Sequence, residues 1–127
     1  QIAIQAHRKA MPHCMGTMFW QLNDCWPGPS WSVIDYYGNN KVAYDVVKEN
    51  YKPVITIRDS NIVTIISDLT VPYDGELKVV VANKNGKDKD FLSPINIEPF
   101  STKDIDLFSI NKLEKALKRG KIVSVEF

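Results

Sequence analysis

Six short runs after Pro53 constrain the fold most: "PVITIRD", "NIVTIISD", "ELKVVVANK", "SPINIEP", "KDIDLF" and "KIVSVEF". Each is rich in β-branched residues, and turn-forming residues separate them at fairly regular intervals. That rhythm specifies an antiparallel β-sandwich, in which alternate side chains enter a shared core and short loops join the strands. Asn85-Gly86 marks one hairpin, because both residues tolerate the positive φ of a tight type I′ turn. The stretch "SINKLEKALKRG" departs from the pattern. With Ser109 as cap, Ile110, Leu113 and Leu117 on one face and Gly120 as a stop, it predicts a short helix linking two strands.

Residues 1–52 follow a different grammar and hold eight of the thirteen aromatic residues. "QIAIQAHRKAM" spaces Ile2, Ala6 and Ala10 four apart, with Arg8 and Lys9 near the end where they suit the helix dipole and Pro12 as a stop. It reads as the end of a longer helix. "HCMGTMFWQL" is continuously apolar, as expected of a strand covered on both faces in a parallel sheet. "NDCWPGPSWSVIDYYGN" is a long loop full of breakers. Asn40 is expected to cap a second helix, in which Val42, Ala43, Val46, Val47 and Tyr51 recur at one-turn spacing. Helix, buried strand, long loop, helix is the cadence of one βα unit.

The two cysteines do not suit a disulfide. A strand over residues 14–22 would span more than about 25 Å at about 3.3 Å per residue. Three further residues cannot bring Cys25 back within the roughly 7 Å that a disulfide tolerates, so two free, largely buried thiols are expected. The net charge of +1 over 127 residues provides no field for nucleic acid or an anionic membrane, and no apolar run reaches the roughly 20 residues of a membrane span. Neither nucleic acid nor membrane is an expected partner. The sequence assigns no compartment.

Few residues offer chemistry. His7 and His13 are six apart with Pro12 between them, so one helix face cannot present both, and two ordinary histidines outweigh a zinc site. "KNGKDKD" lacks the spacing and terminal glutamate of a calcium-binding EF-hand loop and reads as a solvated hairpin tip. No nucleophile elbow or phosphate loop occurs, and no cofactor or metal is expected. The remaining feature is "CMGTMFWQLNDCWPGPSW", which contains all three tryptophans. The face of Trp20 suits the polarised C–H groups of a sugar ring, and Asn23 and Asp24 lie within reach of its hydroxyls. Equally, Trp20, Trp26 and Trp31 would plug a barrel end or a domain interface while Asn23 and Asp24 hold the turn. Residue chemistry leaves these two readings level.

Residues 8–54, with "WQLNDCWP" and "SVIDYYG" as their specific signatures, resemble the last strand, following loop and closing helix of the catalytic barrel in β-mannosidases of glycoside hydrolase family two. The β-rich remainder is similar in order and pattern to the immunoglobulin-like domain that follows the barrel. The resemblance implies a mainly β chain, in which an immunoglobulin-like antiparallel β-sandwich over 53–127 follows a helix-strand-loop-helix remnant of a (β/α)8 barrel over 1–52. It further implies part of an exo-acting retaining hydrolase of terminal β-D-mannose residues, with a mannoside and the rest of the parent enzyme as partners. The parent would be periplasmic or secreted in bacteria and lysosomal in animals.

By the same resemblance, Trp20 lines the subsite of the terminal sugar, and Asn23, Asp24 and Trp26 shape the pocket. Retaining hydrolysis needs two carboxyl groups about 5 to 5.5 Å apart, and in this family both are glutamates on earlier barrel strands. Glu49, Glu76, Glu98, Glu114 and Glu126 match neither position, so the chain alone is expected to be inactive. Without barrel neighbours, Met15, Met18, Phe19 and Leu22 would need other cover, and the sandwich, whose last run stops at Phe127, would have room for a further edge strand. A related exo-β-glucosaminidase and a non-catalytic carbohydrate-binding or structural sandwich are the alternatives.

Overall fold

The computed structural model describes residues 1–83, 88–118 and 120–127. They form two compact units, Gln1–Lys52 and Pro53–Phe127.

The second unit is mainly β. All six apolar runs become strands: β1 (Val54–Asp59), β2 (Ile62–Ser67), β3 (Tyr73–Asn83), β4 (Lys89–Ile97), β5 (Ser101–Asp106) and β6 (Gly120–Glu126). They make two antiparallel three-stranded sheets, in the orders β1-β2-β5 and β4-β3-β6. Alternation produces the sandwich core. Leu77, Val79 and Val81 of β3 meet Val63 and Ile65 of β2, Ile97 of β4 and Ile105 of β5 in one buried cluster. Burying each such side chain contributes roughly 1.5 to 3 kcal/mol. Pro94 is tolerated because β4 is an edge strand, paired among the described residues only with β3. β6 carries a bulge: Ser124 faces Val80 and Ile122 faces Val81, leaving Val123 as the extra residue. The Asn85-Gly86 turn lies outside the described residues, as does most of the "KNGKDKD" tip.

The link between β5 and β6 differs from its sequence reading. The Ser109 hydroxyl donates to the Asp106 carbonyl at 2.7 Å within a 3₁₀ turn, Leu107–Ser109, whose cap is the Asp106 carboxylate. The helix α3 starts later, at Leu113–Leu117, behind Lys112 with φ of 66°. Ser109 satisfies the nearer turn first, so it cannot cap α3. Leu107, Ile110 and Leu113 nevertheless turn inward and close one end of the core. Gly120 opens β6 rather than merely ending a helix. A β-carbon there would stand 2.4 Å from the Ala82 carbonyl oxygen, so only glycine fits this close pairing.

In the first unit, α1 (Ile2–Lys9) and α2 (Val42–Asn50) flank an irregular stretch. α1 buries Ile4, whereas the expected Ile2, Ala6 and Ala10 face is exposed. Lys41, not Asn40, occupies the cap position of α2, and no side chain caps it. Arg8 joins the two helix ends by donating to the Asn50 and Lys52 carbonyls, both at 2.8 Å. Residues 13–22 form no strand ladder, contrary to the expectation from their apolar run. A parallel strand acquires its hydrogen bonds from neighbours distant in sequence. Among the described residues this unit supplies only the isolated bridges Asn23↔Ile34 and Ile34↔Asn40. Cys14 and Cys25 are free, the first partly buried and the second exposed rather than buried.

Candidate functional site

The loop after Trp20 is organised from its backbone outward. Ile34 donates its N–H to the Leu22 carbonyl at 2.9 Å, Asp24 donates to the Ile34 carbonyl at 3.1 Å, and Lys41 donates to the Val33 carbonyl at 2.9 Å. These bonds bring 22–24, 33–34 and 41 side by side. At the turn beyond, both carboxylate oxygens of Asp35 accept from Asn39, from its backbone N–H at 2.7 Å and its side-chain amide at 2.9 Å. The Asn39 contacts hold the Asp35 carboxyl below its ordinary pKa. Gly38, with φ of 86°, takes the left-handed position in this turn.

That backbone arrangement delivers the Lys41 ammonium to Asp24. Lys41 Nζ lies 2.8 Å from Asp24 Oδ2, 2.7 Å from Ser32 Oγ and 3.2 Å from Ser30 Oγ, so its three protons have three acceptors. The other Asp24 oxygen accepts from the Ser30 hydroxyl, and Ser32 Oγ donates to the Ile34 carbonyl at 2.8 Å. The Asp24 side chain is only 5% exposed. The Lys41 bond above all, and then the Ser30 bond, lower its pKa to about 2. At neutral pH it is therefore an anion with both oxygens engaged, a poor proton acceptor and a firm anchor for the loop.

Around the anchor the aromatic side chains face outward. Trp20, Trp26 and Trp31 are 77%, 73% and 76% exposed. Met15, Met18 and Leu22 are exposed as well. The Trp20–Gln21 peptide is cis. Asn23 is exposed, and its side-chain amide makes only a long 3.3 Å contact with the Asp24 carbonyl. Next to this face, Phe19 packs edge-on against Tyr51, whose hydroxyl donates to the Thr17 carbonyl at 2.7 Å. His7 Nδ1 is 2.6 Å from Thr17 Oγ1.

Of the four residues singled out from sequence, Asn23 and Asp24 thus belong to the loop framework, while Trp20 and Trp26 present free rings. Lys41, Ser30 and Ser32 were not foreseen. One signal pointed to them: Asp24 is the only Asp, Glu, Lys or Arg between Lys9 and Asp35. A lone carboxylate in so apolar a stretch needs a cation from elsewhere.

No family model matches the chain. It is 52% identical over 42 residues to β-mannosidase B of Thermothelomyces thermophilus, and 50% identical over 42 residues to β-mannosidase B of Aspergillus niger. Each match covers 33% of this chain and 5% of the relative. A longer match, 34% identical over 94 residues, is to β-mannosidase A of Aspergillus terreus and covers 68% of this chain and 10% of the relative. The chain thus spans a tenth or less of the length of these relatives. The partial matches relate it to β-mannosidases and hence to glycoside hydrolases.

Proposed function

We propose that this chain is part of an exo-acting, retaining β-mannosidase of glycoside hydrolase family two, which removes terminal non-reducing β-D-mannose residues. Residues 1–52 then supply the last strand, loop and closing helix of a (β/α)8 catalytic barrel, and residues 53–127 an immunoglobulin-like domain that follows it in the chain. The observation that carries this reading is the set of exposed rings of Trp20, Trp26 and Trp31 on a loop pinned by Asp24 and Lys41, in a chain related to β-mannosidases. An exposed indole gains from stacking on the C–H face of a sugar.

In this mechanism Trp20 carries the terminal mannose, Trp26 and the Asn23 amide border it, and Asp24 acts as a positioning residue. With Lys41 and Ser30 on its two oxygens, Asp24 holds the loop and takes no proton. The nucleophile and the acid/base are glutamates of the parent enzyme outside this chain, about 5 to 5.5 Å apart, and the double displacement between them needs no cofactor. This chain alone hydrolyses nothing.

The test is kinetic. In the whole enzyme bearing this segment, Trp20→Ala lowers kcat/KM on an aryl β-mannoside by about 1 to 3 kcal/mol of transition-state stabilisation. Unchanged kinetics would return Trp20 to a structural role. Turnover of the same substrate by the purified chain, abolished in Asp24→Asn, would overturn the assignment of catalysis to other residues.

A further inference from the structure

A concave site lies in the sandwich unit, away from the tryptophan loop in sequence and built from different chemistry. A cavity of about 740 Å³ opens between β4 and α3. Four lysines line it: Lys89 from β4, and Lys112, Lys115 and Lys118 from the α3 region. Lys112 caps the start of α3, Lys115 lies within it and Lys118 caps its end, and all four lysines are exposed. Phe91 and Val81 add an apolar patch.

The charges are not balanced. Asp90 is the one carboxylate among the described lining residues, and its Oδ2 is held 2.9 Å from the Lys78 ammonium. Lys118 has a long 3.8 Å pairing with Glu114. Lys89, Lys112 and Lys115 have no ion-pair partner among the described residues. The five residues outside that set are Lys84, Asn85, Gly86, Lys87 and Arg119, which carry no carboxylate side chain. An anion in the cavity would therefore meet uncompensated positive charge.

The backbone points the same way. Lys112 has φ of 66°, a left-handed conformation that disfavours residues with a β-carbon and suits glycine or asparagine. A lysine stands where folding alone would favour a smaller residue.

We propose that this cavity binds a compact oxyanion carrying at least three negative charges, in the form of phosphate or sulfate groups. Lysine ammoniums act as point charges with freely directed donors, which can meet the oxygens of a phosphate or sulfate group from several sides. The lysines cluster around one half-open cavity rather than along a track, which favours a small polyvalent ligand over an extended polymer. This site is independent of mannoside recognition.

Calorimetric titration of the full chain with inorganic tripolyphosphate at low salt tests the proposal. Saturable binding at one site is expected, weakening at high salt as exposed charges are screened. Lys112→Gly and Lys115→Gln should each weaken it roughly 2- to 5-fold, the scale of one exposed charge contact. The Tm of ligand-free Lys112→Gly should stay level or rise, because glycine relieves the left-handed strain; this separates lost binding from lost folding. Lys48→Gln, in α2, should leave binding unchanged. A trisulfated disaccharide run in parallel distinguishes sulfate from phosphate as the preferred group, and preference for either supports the site. Absence of saturation, equal weakening by Lys48→Gln, or tighter binding of duplex DNA than of tripolyphosphate would overturn it.

Discussion

Replacing Leu77 by alanine tests whether the two sheets share the core assigned to them. Leu77 lies on β3, the middle strand of its sheet, is 0% exposed, and belongs to the cluster that includes Val63 and Ile65 of the opposite sheet. Leu77→Ala removes three carbons from a fully buried site. At about 0.8 kcal/mol per buried methylene, transfer alone costs about 2.4 kcal/mol. The void left between two sheets held by hydrogen bonds cannot fully collapse, which brings the expected loss to about 3 to 5 kcal/mol. Leu92 on the neighbouring β4 is the control. It is 55% exposed, and Leu92→Ala should cost less than about 1 kcal/mol. Urea unfolding of the full chain, followed by far-UV circular dichroism, reads both. A slope of about 1 to 2 kcal/mol per molar urea converts the Leu77 loss into a midpoint shift of roughly 1.5 to 5 M, enough to unfold a marginal domain in buffer. Tryptophan emission would not serve, because all three tryptophans lie at positions 20–31, outside the sandwich unit. Equal midpoints for the two variants would refute the sandwich core.

Two further outcomes follow from particular contacts. Asp24 has its pKa lowered to about 2 from 3.8, so its contribution to stability is fully present above about pH 4 and disappears as pH falls toward 2. An acid titration monitored by tryptophan emission should show Asp24→Asn unfolding more readily than the parent chain at neutral pH and converging with it near pH 2; a constant gap would contradict the ion pair with Lys41. Gly120→Ala drives a β-carbon against the Ala82 carbonyl oxygen and Val81 Cγ1, at 2.4 and 2.8 Å, and should lower stability by about 1 to 3 kcal/mol. Thermal unfolding measures it, and an unchanged Tm would show that β6 does not approach β3 as closely as described.

The parts of the fold legible in sequence were those whose signals are local. β-Branched runs bounded by turn residues name a strand from its own side chains, and all six in the sandwich unit formed one. β4 shows the limit: its alternation begins at Lys89, four residues before "SPINIEP", because Lys89-Asp90-Phe91-Leu92 takes its strand character from pairing with Val81 to Lys78. Residues 13–22 show the opposite case. Their composition suits a buried strand, but composition cannot supply a ladder, and no described neighbour does. Capping failed for a related reason. Ser109 and Asn40 each stand near a helix start, yet Ser109 bonds to the Asp106 carbonyl in the turn before it, and Asn40 precedes the actual cap position.

The same distinction between local and long-range signals bears on Asp24. Read alone, an Asn-Asp pair beside tryptophans offers a carboxylate for chemistry or for sugar hydroxyls. The fold joins it to Lys41, seventeen residues away, and to two serines, so that its charge is spent within the loop. A carboxylate so held cannot exchange protons near neutral pH, and its free-energy contribution goes to the shape of the backbone from 20 to 26. That is useful beneath a stacking face: the less of the loop that must be ordered when a ligand arrives, the smaller the entropy cost of binding. Loss of Lys41 should therefore weaken any ligand of the tryptophan face without removing a single contact to it. Lys41→Met, assayed for mannoside kinetics in the whole enzyme, should raise KM more than it lowers kcat; an effect confined to kcat would instead assign Lys41 to the reacting centre.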